Sequence, residues 1–246
     1  MRIVFTLSIA VIAFVFCSCE KSSDMAATPQ TGKGGSLAKF TIVGNYIYAV
    51  SSHFLYTVDI SDPANPVNVG KSKINFEMET IYPYKNRLFI GSRTGLYIYS
   101  IDTAASPRLM GEARHARSCD PVVANDSVSY STLKGGSRCG PATSGLYVHD
   151  VKDLSQPALK KTIPINEPLG LGLADSALYV CCASEGLKVF SLNNAYEPKE
   201  VKTISGADFI DVIPYGDLLI CWQKDGISLY DISNRLQPVF VKKIES

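Results

Sequence analysis

The sequence predicts an all-β chain, a five-bladed β-propeller with four-stranded blades that recur about every 41 residues. Three observations carry this. First, five segments align with one another: LYTVDISDPANP from Leu55, LYIYSIDTAASP from Leu96, LYVHDVKDLSQP from Leu146, LKVFSLNNAYEP from Leu187 and ISLYDISNRLQP from Ile227. They end on Pro66, Pro107, Pro157, Pro198 and Pro238, so the steps along the chain are 41, 50, 41 and 40. Second, each repeat reads as four short strands parted by turn residues; in the second these cover about 79–84, 87–92, 96–101 and 108–113. Third, both faces of the third strand are mostly apolar: Leu96, Ile98 and Ser100 point one way, Tyr97, Tyr99 and Ile101 the other. A sheet of that kind must be covered on both sides, as blades packed radially around an axis are.

The recurring proline fits the start of the outer strand, where a missing N–H is tolerated and discourages edge pairing. Gly95, Gly145, Gly186 and Gly226 mark the turn before the third strand, with Phe54 in that place in the first repeat. Asp59, Asp150 and Asp231, with Ser100 and Ser191 in equivalent places, read as short acceptors for turn N–H groups rather than as catalytic acids.

At these segments the sequence resembles the LVIVD-repeat family of bacterial extracytoplasmic proteins, whose repeat has a Leu-x-x-x-Asp-Ile/Val core followed by a proline-containing turn. The resemblance spans about Gly34 to Ser246. It implies a propeller outside the cytoplasm and brings no catalytic motif. The Trp-Asp signature of WD40 propellers is missing, since the single tryptophan is Trp222.

The N-terminus divides the chain further. Arg2 precedes an apolar run, Ile3 to Phe16, of export-signal length rather than the roughly 20 residues a membrane span requires. It ends in Ser18-Cys19, which resembles a bacterial lipobox, so residues 1–18 are expected to be a cleaved leader and Cys19 the lipidated first residue. Residues 19–36 then form a polar tether and 37–246 the propeller. The charged residues after Cys19 resemble the surface-export signal of Bacteroidota lipoproteins. The expected location is therefore the cell envelope, at the outer membrane or cell surface, with a lipid anchor as the membrane contact.

Formal net charge is +1, with no basic footprint for nucleic acid. His53, His115 and His149 show no metal-ligand spacing, His149 taking a packed blade position, and no cofactor motif is present. In an oxidising compartment Cys119 and Cys139, the latter in the insertion that lengthens the third repeat, are expected to form a disulfide. Cys181 and Cys221, each five residues before a repeat glycine, read as small buried hydrophobes.

Lys39, Glu79, Asp120 and Asp211 fall near the start of the innermost strands, together with Gly170, and are expected to crowd the channel mouth. Charges at that density need partners among themselves, in water or in a ligand. The preferred reading is a non-enzymatic binding or scaffold module that takes an envelope protein or a glycan there. The alternative resembles five-bladed propeller glycosidases, with Glu79, Asp120 and Asp211 as general acid, base and orienting carboxylate.

Overall fold

The computed structural model describes residues 34–114, 121–135 and 143–245. They form five four-stranded antiparallel sheets arranged as a five-bladed β-propeller. Blade 1 holds β1 Phe40–Val43, β2 Tyr46–Ser51, β3 Phe54–Asp59 and β4 Val67–Lys73; blade 2 holds β5 Met78–Tyr84, β6 Arg87–Ser92, β7 Gly95–Ser100 and β8 Arg108–Arg114. Blade 3 holds β9 Val122–Ala124, β10 Val128–Leu133, β11 Gly145–Asp150 and β12 Ala158–Pro164. Blade 4 holds β13 Leu171–Ala174, β14 Ala177–Cys181, β15 Leu187–Ser191 and β16 Lys199–Ile204; blade 5 holds β17 Phe209–Tyr215, β18 Leu218–Gln223, β19 Gly226–Asp231 and β20 Val239–Glu245.

Local chemistry explains why the repeat recurs. Each proline directly precedes its outer strand. Before it, the same tight turn closes in every blade, from Asn65 N–H to Asp62 O, Ser106 to Thr103, Gln156 to Asp153, Glu197 to Asn194 and Gln237 to Asn234. Asp59, Asp150 and Asp231 accept the N–H groups of Ser61, Lys152 and Ser233 at 2.7–3.1 Å, and Ser100 Oγ accepts that of Asp102, as expected for turn acceptors. A bulge between the third and fourth strands falls at one place in all five blades, Thr57/Val58 in the first and Leu229/Tyr230 in the last, and bends the outer edge.

The repeat glycines have a sharper reason than turn flexibility. A Cβ on Gly95, Gly145, Gly186 or Gly226 would stand 2.2–2.6 Å from a carbonyl oxygen of the adjoining outer strand.

Consecutive blades are sealed by apolar clusters. Tyr48, Val50 and Leu55 pack on Ile81 and Leu88 between blades 1 and 2, and Phe89 and Ile98 on Val122 between 2 and 3. Tyr130 and Val148 pack on Leu171 and Leu178 between 3 and 4, and Tyr179, Cys181 and Leu187 on Val212, Leu219 and Cys221 between 4 and 5. Three second-strand tyrosines also reach the next blade's turn: Tyr48 to Ala104 O at 3.2 Å, Tyr130 to Ala195 O at 2.7 Å and Tyr179 to Arg235 O at 2.7 Å. Blade 2 has Phe89 at that place, and blade 5 has Ile220.

The face of blade 5 that looks toward blade 1 is different. Third-strand Leu55, Leu96, Leu146 and Leu187 are at most 3% exposed, whereas their counterpart Ile227 is 39% exposed. Trp222, which takes the place of fully buried Cys181, is 54% exposed, and Ile244 in the same cross-strand row is also open. On blade 1 the answering face, Ile47, Ala49, Tyr56 and Val58, is only half-buried. Four of the five interfaces are therefore apolar and closed, and the fifth is held near the axis by polar contacts.

Candidate functional site

Those polar contacts come from the segment that leads into β1. Asp211, at the inner edge of blade 5, is 7% exposed; its carboxylate accepts hydrogen bonds from Ser36 Oγ at 3.0 Å, Leu37 N–H at 3.2 Å and Val212 N–H at 3.0 Å. Ser36 Oγ in turn accepts Leu171 N–H of blade 4 at 2.8 Å. Gly35 and Gly170 flank the carboxylate so closely that a Cβ on either would stand 2.1 Å from one of its oxygens. Burial raises the pKa of Asp211 against the pull of these hydrogen bonds. Residues 34–37 thus form a plug, bonded to blades 4 and 5 just before the chain enters β1. Leu37 lines a polar recess on one side of it, while Gly34 and Ser36 line an apolar cavity on the other.

The recess, about 450 Å³, lies where blades 1 and 2 meet at the end carrying the turns between second and third strands. Lys39, Ser52, Glu77, Glu79 and Arg93 line it, with Pro121 at the far side. Arg93 spans two carboxylates, Glu77 Oε2 at 2.7 Å and Glu79 Oε1 at 3.4 Å. All three side chains are partly exposed, so each pair contributes about 0–1 kcal/mol and can exchange for ligand contacts. Lys39 is exposed and makes no ion pair among the described residues. A cation beside a guanidinium-bridged acid pair can hold a polar ligand with hydroxyl or carboxylate groups.

Strand pairing separates Glu79 and Asp211, which the sequence places together near the channel mouth. Lys39 O accepts Val50 N–H, Thr80 pairs with Gly91, Pro121 O accepts Thr132 N–H, Gly170 O accepts Cys181 N–H, and Asp211 pairs with Trp222. The equivalent residues are therefore Lys39, Thr80, Pro121, Gly170 and Asp211. Glu79 is the extra residue of a bulge between Met78 and Thr80, and that one-residue shift points it into the recess. Lys39 and Glu79 do share one site. Asp211 does not: it lies under the plug, facing Ser36 and Leu37, and so offers no open carboxylate to a glycosidase arrangement with Glu79. Asp120, Cys119, Cys139 and Cys19 lie outside the described residues.

Cys181 and Cys221 are both fully buried free thiols, as expected of small hydrophobes. They do not share a repeat position, however. Cys181 pairs with Leu187 and belongs to the register of Trp222, so the two cysteines face each other from opposite walls of the blade 4 to blade 5 cluster. His149 is 2% exposed, a packed blade residue as expected. Among the described residues no cluster of metal-ligating side chains occurs.

Sequence reasoning misses Glu77, Arg93 and the Ser36 plug. Arg93 immediately follows the second strand of blade 2, and nothing in its neighbours announces the two acids it reaches. The Gly34-Gly35-Ser36 run is a usable signal, since two glycines before a serine allow close approach to an acceptor.

Residues 34–73 match the LVIVD repeat. That is the first blade together with the plug, and the internal alignment carries the same pattern through the other four. No curated protein matches the sequence. Among solved structures the chain is similar to a protein of unknown function from Desulfotomaculum acetoxidans, at 9% identity and TM-score 0.65, covering 82% of this chain and 66% of that one. It is also similar to the periplasmic gluconolactonase PpgL of Pseudomonas aeruginosa (12%, TM-score 0.61, 82% and 68%) and to AztD of Citrobacter koseri (12%, TM-score 0.60, 87% and 61%). At such identities the likeness is one of fold. The chain spans about two thirds of the length of these structures.

Proposed function

We propose that this protein is a lipid-anchored, non-enzymatic binding module of the bacterial cell envelope, which holds a glycan or a polar segment of an envelope protein in the Lys39–Glu79 recess. The observation that carries the reading is the recess itself: Lys39, without an ion pair among the described residues, beside the Glu77–Arg93–Glu79 bridge, mounted on two blades whose shared core is closed. Repeat scaffolds keep such groups fixed, and a fixed site loses little entropy when it binds. The export run ending in Ser18-Cys19 supports the envelope, as does the fold shared with a periplasmic protein. The insertion that lengthens the third repeat, about 133–144, follows β10 at the end of the blade that carries the recess, and a Cys119–Cys139 disulfide would brace it; peptide mapping without reductant tests that pairing.

The deciding experiment has two arms. Cys19→Ala should move the protein from the membrane to the soluble fraction, and an acylated variant would contradict the anchor. In a screen of glycans and envelope proteins, Lys39→Glu with Glu79→Gln should weaken the best hit at least tenfold at unchanged melting temperature. A hit that binds this double variant normally places the binding surface elsewhere.

A further inference from the structure

At the other side of the plug lies a cavity that the reading above does not use. Its volume is about 400 Å³, within the range of about 300–1,000 Å³ typical of small-molecule sites. Four blades wall it, chiefly with Tyr82, Pro83, Leu171, Leu173, Ile213 and Pro214. At one ring of equivalent positions, each pairing with the same point of its second strand, the innermost strands hold Thr41, Tyr82, Val123, Gly172 and Ile213. The last four all line the cavity, so its cross-section is set by one large residue, one glycine and two aliphatics rather than by a symmetric ring.

Gly172 is fixed by packing, since a Cβ there would meet Pro214 at 2.8 Å and Val212 at 3.0 Å. The cavity therefore cannot be closed by a larger residue from blade 4 without pushing blade 5 away. Tyr82 is the opposite case. Its ring packs against the blade 2–3 and blade 3–4 clusters, yet its hydroxyl makes no hydrogen bond among the described residues. Burial pushes its pKa up to about 12, so it remains a donor at any physiological pH. The neighbouring Tyr84 and Lys85 are engaged at the rim by Asp126, the former at 3.0 Å and the latter at 2.6 Å. A partly buried tyrosine usually satisfies its O–H, and an apolar cavity too poor in polar groups to hold well-bonded water leaves that bond to a ligand.

We infer that this cavity is a second binding site, taking a compact ring compound that is apolar over most of its surface and carries one oxygen able to accept the Tyr82 hydroxyl. The ring lies against Tyr82, Pro83 and Pro214, and the aliphatic walls exclude water around the single polar contact. The recess is lined by charged groups and the cavity chiefly by apolar ones, so the two sites take different chemical classes.

The test uses 2-naphthol and naphthalene as probes on the full chain, by calorimetric or fluorescence titration. The wild type should bind 2-naphthol about five- to tenfold more tightly than naphthalene, the effect of one hydrogen bond. Tyr82→Phe should reduce that preference to nearly one while leaving naphthalene affinity unchanged. Leu173→Trp, at a half-buried wall position, should abolish both at unchanged melting temperature, whereas Trp222→Gln on the open face of blade 5 should abolish neither. No binding of either probe to the wild type overturns the inference. So does a preference that survives Tyr82→Phe, or binding that Trp222→Gln removes and Leu173→Trp spares.

Discussion

Replacing Asp211 with Ala removes the acceptor of two hydrogen bonds that fasten the plug to blade 5, those from Ser36 Oγ and Leu37 N–H. A buried donor left without a partner costs about 1–3 kcal/mol. With the Ser36 hydroxyl free to turn, and some water entering as the plug loosens, the net loss should be about 2–4 kcal/mol. For a domain of this size each kcal/mol moves the melting temperature by about 2–4 °C, so the variant should melt roughly 5–15 °C lower. Asp211→Asn keeps one acceptor oxygen but turns an amide N–H toward other donors, and should lose about half as much. Calorimetry with urea unfolding at pH 7 checks both. An Asp211→Ala variant within about 0.5 kcal/mol of the wild type, the range of an ordinary surface substitution, would refute the role of the plug in holding the ends of the ring together.

The sign of the pH dependence gives an independent check on Asp211. Burial raises its folded-state pKa above the unfolded value, so between the two the folded state binds more protons than the unfolded state. Its stability contribution is thus fully present below the unfolded pKa, near 4, and declines as pH rises through the folded one. The exposed turn carboxylates Asp59, Asp150 and Asp231 work in the opposite sense, because hydrogen bonds from Ser61, Lys152 and Ser233 lower their pKa values. The difference in stability between wild type and Asp211→Asn isolates the buried group, and it should shrink as pH rises from about 4. A difference that grows over that window would show that Asp211 is stabilised as the anion.

The remaining predictions concern the interfaces. Tyr179→Phe deletes the bond to Arg235 O and should cost about 1 kcal/mol in urea unfolding; no measurable change would mean that the inter-blade tyrosines are only packing groups. Leu187→Ala in the closed interface should cost about 2–5 kcal/mol, whereas Trp222→Gln at the equivalent level of the open face should stay within about 0.5 kcal/mol. Wild-type tryptophan emission should also be readily quenched by acrylamide. A protected Trp222 whose replacement costs several kcal/mol would show blade 5 sealed against blade 1.

Much of this protein is written locally and can be read without its fold. The repeat period, the proline before each outer strand, the Asp and Ser turn acceptors and the two-sided apolar third strand all depend on near neighbours along the chain, and they define five blades and, in the second, its four strands to within a residue or so at each end. What the sequence does not carry is register and closure. Glu79 stands one residue ahead of the position that Lys39 and Asp211 share, and only the pairing register shows it; Asp211 does hold that position, yet a serine from a remote segment covers it. Cys181 and Cys221 look alike by their distance from a glycine, yet the longer turn after Cys181 sets them on opposite walls of one core. The fate of Trp222 is equally unreadable, because its strand resembles the others in pattern and its exposure depends on whether the first blade, at the far end of the chain, packs against it. Local propensity decides what each blade is; long-range packing decides which faces are left uncovered, and with them where the recess and the cavity lie.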